Sequence, residues 1–182
     1  MQYFINGSRL RNASLPVRLT FTGFLLFVLI GFGTNFTIDA WNTGLTPDGI
    51  AHYYRGFEPP PGSMEDLRYP KELRELVENL HFHVYLIPML LLVVTHVFFM
   101  TRFSQAAMVV STAVLWVALL GELGGPFLVR YAGAGFAFLK LGSSLAFHGT
   151  LLLQSAGSIW DAWATPEPGP SSAELPVDVE LG

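Results

Sequence analysis

No cysteine occurs among the 182 residues, which removes disulfide frameworks, thiolate metal sites, iron–sulfur clusters, covalently attached c-type haem and every thiol-based redox relay. Any redox chemistry must then run on a bound cofactor. Charge is scarce as well, at 13% of residues, and no basic cluster accompanies the net charge of −4, so the chain gives no reason to expect a nucleic-acid partner. Internal repeats are missing too.

Long apolar runs stand in place of what is missing. Hydrophobic residues make up 51% of the chain, too many for a soluble domain of this length, and the chain reads as an integral membrane protein. Four stretches, approximately 19–36, 81–100, 105–129 and 134–160, reach the roughly 20 residues that a bilayer-spanning helix needs. The first follows Arg9, Arg11 and Arg18 as a signal peptide would. No small-x-small cleavage site comes after it, so it reads as a retained signal anchor.

The expected fold class is therefore all-α integral membrane: a four-transmembrane-helix bundle with a long, partly helical first loop. Residues 1–18 are an amino-terminal tail, 19–164 the membrane domain with an extramembrane loop at 37–79, and 165–182 a flexible acidic tail rich in Pro and Ser. The arginines beside the first span outweigh Arg55, Arg68, Lys71 and Arg74 of the loop, which are interleaved with acids. This places both termini in the cytoplasm.

The loop is patterned rather than slack. Thr46-Pro47-Asp48 is a helix start with Thr46 as N-cap, and Gly56 is placed to end that helix after Arg55. His52, Tyr53 and Tyr54 ride on it. After the stiff Pro59-Pro60-Pro61 turn, Tyr69-Pro70 opens a second helix whose apolar positions Leu73, Leu76, Val77 and Leu80 follow the helical period. No breaker separates it from the second span, so one long helix is expected to Met100, with a bend at Pro88.

Five histidines are the most telling residues present. An ionisable side chain inside a span is a functional-site hypothesis by default, and paired His on facing helices can hold haem iron. His81 and His96 are fifteen residues apart, about 22 Å of rise and about 60° of rotation, a spacing similar to that of the two-haem helices of transmembrane b-type cytochromes. Counted inward from the loop side, His96 and His148 both lie about 21 to 23 Å deep. They are the expected axial ligands of one b-type haem, against the alternative of two hydrogen-bonded packing histidines. His52, His81 and His83 form a second group on the loop side, for a second cofactor, a quinol site or a metal ion; interfacial hydrogen bonding is the plainer alternative. Glu122, about 10 Å inside the third span, suits proton acceptance from a quinol or a structural hydrogen bond to His83. The Trp and Tyr residues are accounted for by interface belts and packing.

The string Gly44-Leu-Thr-Pro-Asp-Gly-Ile-Ala-His-Tyr-Tyr-Arg-Gly56, followed by His81-Phe-His83, Pro88 and His96, resembles a group of small bacterial four-helix membrane proteins. The resemblance covers the first loop and second span and implies a bacterial inner-membrane location and a redox setting. The likeness to b-type cytochromes is one of spacing, because a second helix with two ligands is missing.

The leading expectation is a b-haem-binding membrane subunit that transfers electrons between the quinone pool and a c-type cytochrome or larger electron-transport complex. It would carry one or two haems and sit against other membrane subunits and lipid. Two rivals remain open: a cofactor-free accessory or assembly subunit with structural histidines, and a metal-handling protein using His52, His81 and His83.

Overall fold

The computed structural model describes residues 9–64 and 67–165. Five α-helices follow one another: α1 (Leu15–Thr43), α2 (Pro47–Arg55), α3 (Leu73–Phe99), α4 (Gln105–Phe127) and α5 (Ala137–Trp163). A π-type turn at Leu128–Ala132 and a short 3-10 turn at Ala134–Phe136 join the last two. Four helical segments, Leu15–Thr43, Leu73–Phe99, Gln105–Ala132 and Ala134–Trp163, are long and apolar enough to cross a membrane. The protein is a multi-pass, all-helical membrane bundle, as the sequence leads one to expect. The acidic tail falls, from residue 166 onward, outside the described residues.

Helix boundaries depart from the expected ones in two places. α1 does not stop near Phe36 but continues two turns to Thr43, because no breaker precedes Gly44, whose φ of +63° ends the helix. The helix expected to open at Pro70 starts at Leu73 instead, since the backbone N–H of Lys71 donates to Tyr54 O at 3.1 Å and draws that segment onto α2. α3 then runs unbroken through Pro88. α2 begins and ends as read: the Thr46 hydroxyl accepts from Gly49 N at 3.0 Å, and Gly56, at φ +86°, ends it.

The first loop is fastened over one end of the bundle, called here the loop face. Phe57 and Arg68 exchange two backbone hydrogen bonds of 2.9 Å across the proline turn. Arg68 Nη1 donates to Asn42 O at the end of α1, Arg55 Nη1 to Val129 O, and Arg130 Nε to Lys71 O. Each guanidinium satisfies a carbonyl that a helix end or turn leaves open.

α5 is the hub. α4 lies along it most closely, at two glycines: a Cβ on Gly121 would meet Ser143 Oγ at 2.0 Å, and one on Gly125 would meet Lys140 Cδ at 2.8 Å. α1 and α3 also pack on α5, yet make at most glancing contact with each other. Toward the end where α1 begins and α5 finishes, the tail face, Leu25, Leu91, Val94, Leu115, Leu119, Phe147 and Leu151 pack the interior. Toward the loop face, α1 and α3 stand apart and the interior is hollow. Apolar side chains such as Leu92, Val117, Leu120, Phe138 and Leu152 point outward, as lipid-facing positions do.

Candidate functional site: a half-open cavity between α1 and α3

The hollow is a cavity of about 560 Å³, within the size range of small-molecule and cofactor sites. Its deeper walls are apolar, with Phe24, Val28 and Phe32 from α1, Leu86 and Leu90 from α3, and Leu123 and Phe147 from α4 and α5. Its loop-face end is polar, with Asn35, Asp39 and Asn42 on α1, Asn79 and His83 on α3, Glu122 on α4, and Lys140 on α5. The three α1 residues share a face because they recur at helical spacing, and Asp39 and Asn42 reach the cavity only because α1 runs on to Thr43. Tyr53, Tyr54, Lys71 and Glu75 close the top.

At the centre of the polar end Lys140 Nζ donates to Glu122 Oε1 at 2.6 Å, with the two side chains 7% and 14% exposed. Gly125 makes this pair possible: without a Cβ it lets the Lys140 stem lie flat on α4, one turn from Glu122. The second oxygen, Glu122 Oε2, is buried without a hydrogen-bond partner. Asp39 lies within electrostatic reach of Lys140, Glu122, His148 and His83. One ammonium thus faces two carboxyl groups, so the cluster contains more proton-binding groups than charge pairing consumes.

Both cavity histidines have one nitrogen committed. His83 Nδ1 lies 2.7 Å from Asn79 O and His148 Nδ1 lies 2.8 Å from Ser144 O. A carbonyl can only accept, so in the neutral rings Nδ1 carries the proton and Nε2 is left as an acceptor or ligand. His148 Nε2 is buried with no partner, and its ring is packed among Phe32, Phe36 and Phe147 at centroid distances of 6.1, 5.2 and 5.4 Å.

Two groups above the cavity lie outside the spans. Burial, then the fields of Asp39 and Glu122, push the Tyr54 phenol far above its ordinary pKa, so it stays a protonated donor. Burial acts to lower Lys71, but hydrogen bonds to Glu75 and Tyr53 outweigh it and leave the ammonium pKa raised. That ammonium sits 4.7 Å over the Tyr53 ring.

The remaining histidines are placed otherwise than expected. His96 is exposed on the outer face of the last turn of α3 and does not line the cavity that His148 enters. The contact between Thr95 Oγ1 and Gln154 Oε1 at 3.4 Å fixes the register of α3 on α5, so His96 lies level with a point seven residues, about 10 Å, beyond His148. Counting depth from the loop missed this because α3 starts well outside the bundle. The structure therefore does not bring His96 and His148 together; His148 lines the same cavity as His83 instead. Nor do His52, His81 and His83 converge. His52 stacks on Phe57 at 4.2 Å, His81 is exposed with its ring edge on Tyr85, and no group of three His, Asp or Glu fit to hold a metal occurs among the described residues.

Asp39 and Lys140 were not singled out from the sequence as site residues, although signals for both exist. Asn35, Asp39 and Asn42 recur at i, i+4, i+7 before Gly44. Glu122 and Lys140 stand at matching depths on either side of the turn that joins their helices.

Fold and site together define a four-span helical membrane protein with a laterally open, amphipathic cavity. Residues 44–169 match the model of the Aq_1264_TM family, a transmembrane helical domain, and the chain belongs to that family. No curated protein and no solved structure matches it.

Proposed function

We propose that the protein is a membrane subunit that binds a quinone-class ligand in this cavity and takes part in electron transfer between the quinone pool and a redox partner. The observation that carries the reading is the gap between α1 and α3: an apolar slot on the lipid side leads to a polar end with Glu122, Lys140, Asp39 and His83. A long-tailed quinol can enter from the bilayer with its head toward that end and its tail among Phe24, Val28 and Leu90. Hydroxyl or carbonyl oxygens of the head meet an acceptor at His83 Nε2 or Glu122 Oε2 and donors at Lys140 and the asparagines. On oxidation the head gives up two protons and two electrons; Glu122 and His83 accept protons, and the electrons pass to a partner. That partner is a c-type cytochrome or a larger complex on the loop face. The setting is a bacterial inner membrane with both termini in the cytoplasm.

A second reading places a b-type haem in the same cavity, favoured by the two imidazoles whose Nδ1 is fixed by a carbonyl and whose Nε2 is uncommitted. His148 would be one axial ligand; the α3–α5 register sets His83 about 9 Å nearer the loop face, so His83 would serve as the second only with a shift of α3, and His96 not at all.

Titration of the detergent-purified protein with a short-tailed quinone analogue tests the leading reading. Saturable binding that weakens tenfold or more in Glu122→Gln and His83→Ala is expected, and absence of saturable binding to the wild type removes it. A reduced-minus-oxidised spectrum of the same sample tests the second, because bis-His haem gives a sharp α band that neither apoprotein nor quinone shows.

A further inference from the structure

α5 turns its polar side inward over its whole length. Lys140, Ser143 and Ser144 are buried near the loop face, and Gln154, Ser155, Ser158 and Asp161 are buried toward the tail face. Apart from the neighbouring pairs Ser143–Ser144 and Gln154–Ser155, the steps between them are threes and fours or their sums, so all lie on one broad stripe. From Lys140 to Asp161 the stripe rises about 31 Å, close to the roughly 30 Å of a bilayer's hydrocarbon core.

Close packing accounts for serines on such a stripe, since small residues let helices approach. It does not account for a glutamine and an aspartate with no exposure at all. Gln154 is held from both sides, accepting from Thr95 Oγ1 at 3.4 Å and donating to Ser111 Oγ at 3.2 Å. Ser158 Oγ donates to Gln154 O at 2.7 Å. Around this chain the Ser155 and Thr112 hydroxyls are buried with no hydrogen-bond partner, and both Asp161 oxygens lack one, Arg102 Nε standing 3.6 Å away as an ion pair. The same condition recurs above, at Ser144 Oγ, His148 Nε2 and Glu122 Oε2. Buried polar atoms left open at intervals along a single stripe are where water and protons bind. One break occurs, the six residues from His148 to Gln154, about 9 Å, where Phe147 and Leu151 fill the stripe.

We propose that the buried face of α5 is a proton path joining the tail face at Asp161 to the Glu122–Lys140 pair in the cavity, with the Phe147–Leu151 layer as its gate. A proton taken up at the Asp161 carboxylate passes along the Ser158, Gln154, Ser155 and Thr112 groups. It crosses the apolar layer on transient water to His148 Nε2 and leaves through Ser144 and Glu122. No bond other than those to the proton changes and no electron moves, so a membrane potential alone can drive it. The path stands whether or not the cavity takes a quinone.

The full chain in liposomes loaded with a pH-sensitive dye, energised by a valinomycin-induced potassium potential, reads this directly. Wild-type vesicles are expected to take up protons clearly faster than protein-free ones, and Asp161→Asn and Gln154→Leu to slow uptake at least tenfold. Leu151→Ser, which wets the gate, should speed uptake, a gain that an unfolded protein cannot give. Leu145→Ala, on the outward face, should leave the rate unchanged. Wild-type vesicles no faster than protein-free ones overturn the proposal, as does a Leu151→Ser rate equal to that of wild type. Quinone-analogue titration of the same variants separates the two readings, because Gln154→Leu lies outside the cavity and should bind the analogue normally.

Discussion

The two ends of this bundle use buried charge in opposite ways. At the tail face, the buried Asp161 carboxylate is enclosed by a clamp with the exposed Arg102 beside it: Arg18 Nη1 donates to Ala162 O, Trp163 Nε1 to Thr22 Oγ1, Leu10 N to Met100 O, and Arg102 lies 4.0 Å over the Trp160 ring. At the loop face Glu122 and Lys140 border an open hollow between helices that do not pack together. The same chemistry, a carboxylate with a cation, closes one end and furnishes the other. A charge inside a membrane protein is thus read by what surrounds it: the void beside Glu122 and Lys140 has room for a ligand, whereas the packing around Asp161 has room for nothing larger than water and protons.

The largest expected contrast comes from matched truncations. Leu91 is fully buried against the tail-half core, so Leu91→Ala should lower stability by about 2–5 kcal/mol. Leu86 lines the cavity and is 71% exposed, and Leu86→Ala should cost far less. Denaturation in mixed micelles compares them. Equal losses would mean that the hollow is filled in the bilayer by packing rather than by a ligand.

Next in size is the ion pair itself. Lys140→Met leaves the Glu122 carboxylate buried without its cation and should cost about 1–3 kcal/mol, less than a fully enclosed pair because the cavity admits water. The double variant Lys140→Met/Glu122→Gln should recover most of that loss. If it does not, the Lys140 stem across Gly125 matters more than its charge. A smaller effect is expected at the lid: Thr46→Ala removes the α2 cap and should cost about 1 kcal/mol, read as faster amide exchange over Pro47–Arg55 with the spans unchanged.

Spans, the α2 cap and the glycine stop at Gly56 were legible because they rest on local rules: apolar run length, a Thr-Pro start and the need for φ > 0. Glu122 and His148 stood out because a titratable group in an apolar run is conspicuous. The pairing of histidines was not legible. It depends on the register of α3 against α5, set by the Thr95–Gln154 contact, and on which way α3 faces, and neither is encoded in spacing along one helix. Asp39 was obscured by a different cause. The hydrophobic run ends at Phe36, but a helix ends where its backbone is interrupted, and that happens at Gly44.

The gentlest perturbation separates structure from ligand most cleanly. Gly31 lines the cavity from α1, and a Cβ built there meets nothing within 4 Å, so a larger side chain grows into the hollow without displacing a neighbour. Leu is also the better helix former, by several tenths of a kcal/mol. Gly31→Leu should therefore leave stability unchanged or slightly raised while it occupies the slot through which a ligand tail must pass. If the cavity serves a membrane-soluble ligand, binding of a quinone analogue should fall tenfold or more with Glu122, Lys140 and both cavity histidines intact. Undiminished binding to a folded Gly31→Leu would place the ligand outside the gap between α1 and α3, and the contrast between an open and a closed end would then describe packing alone.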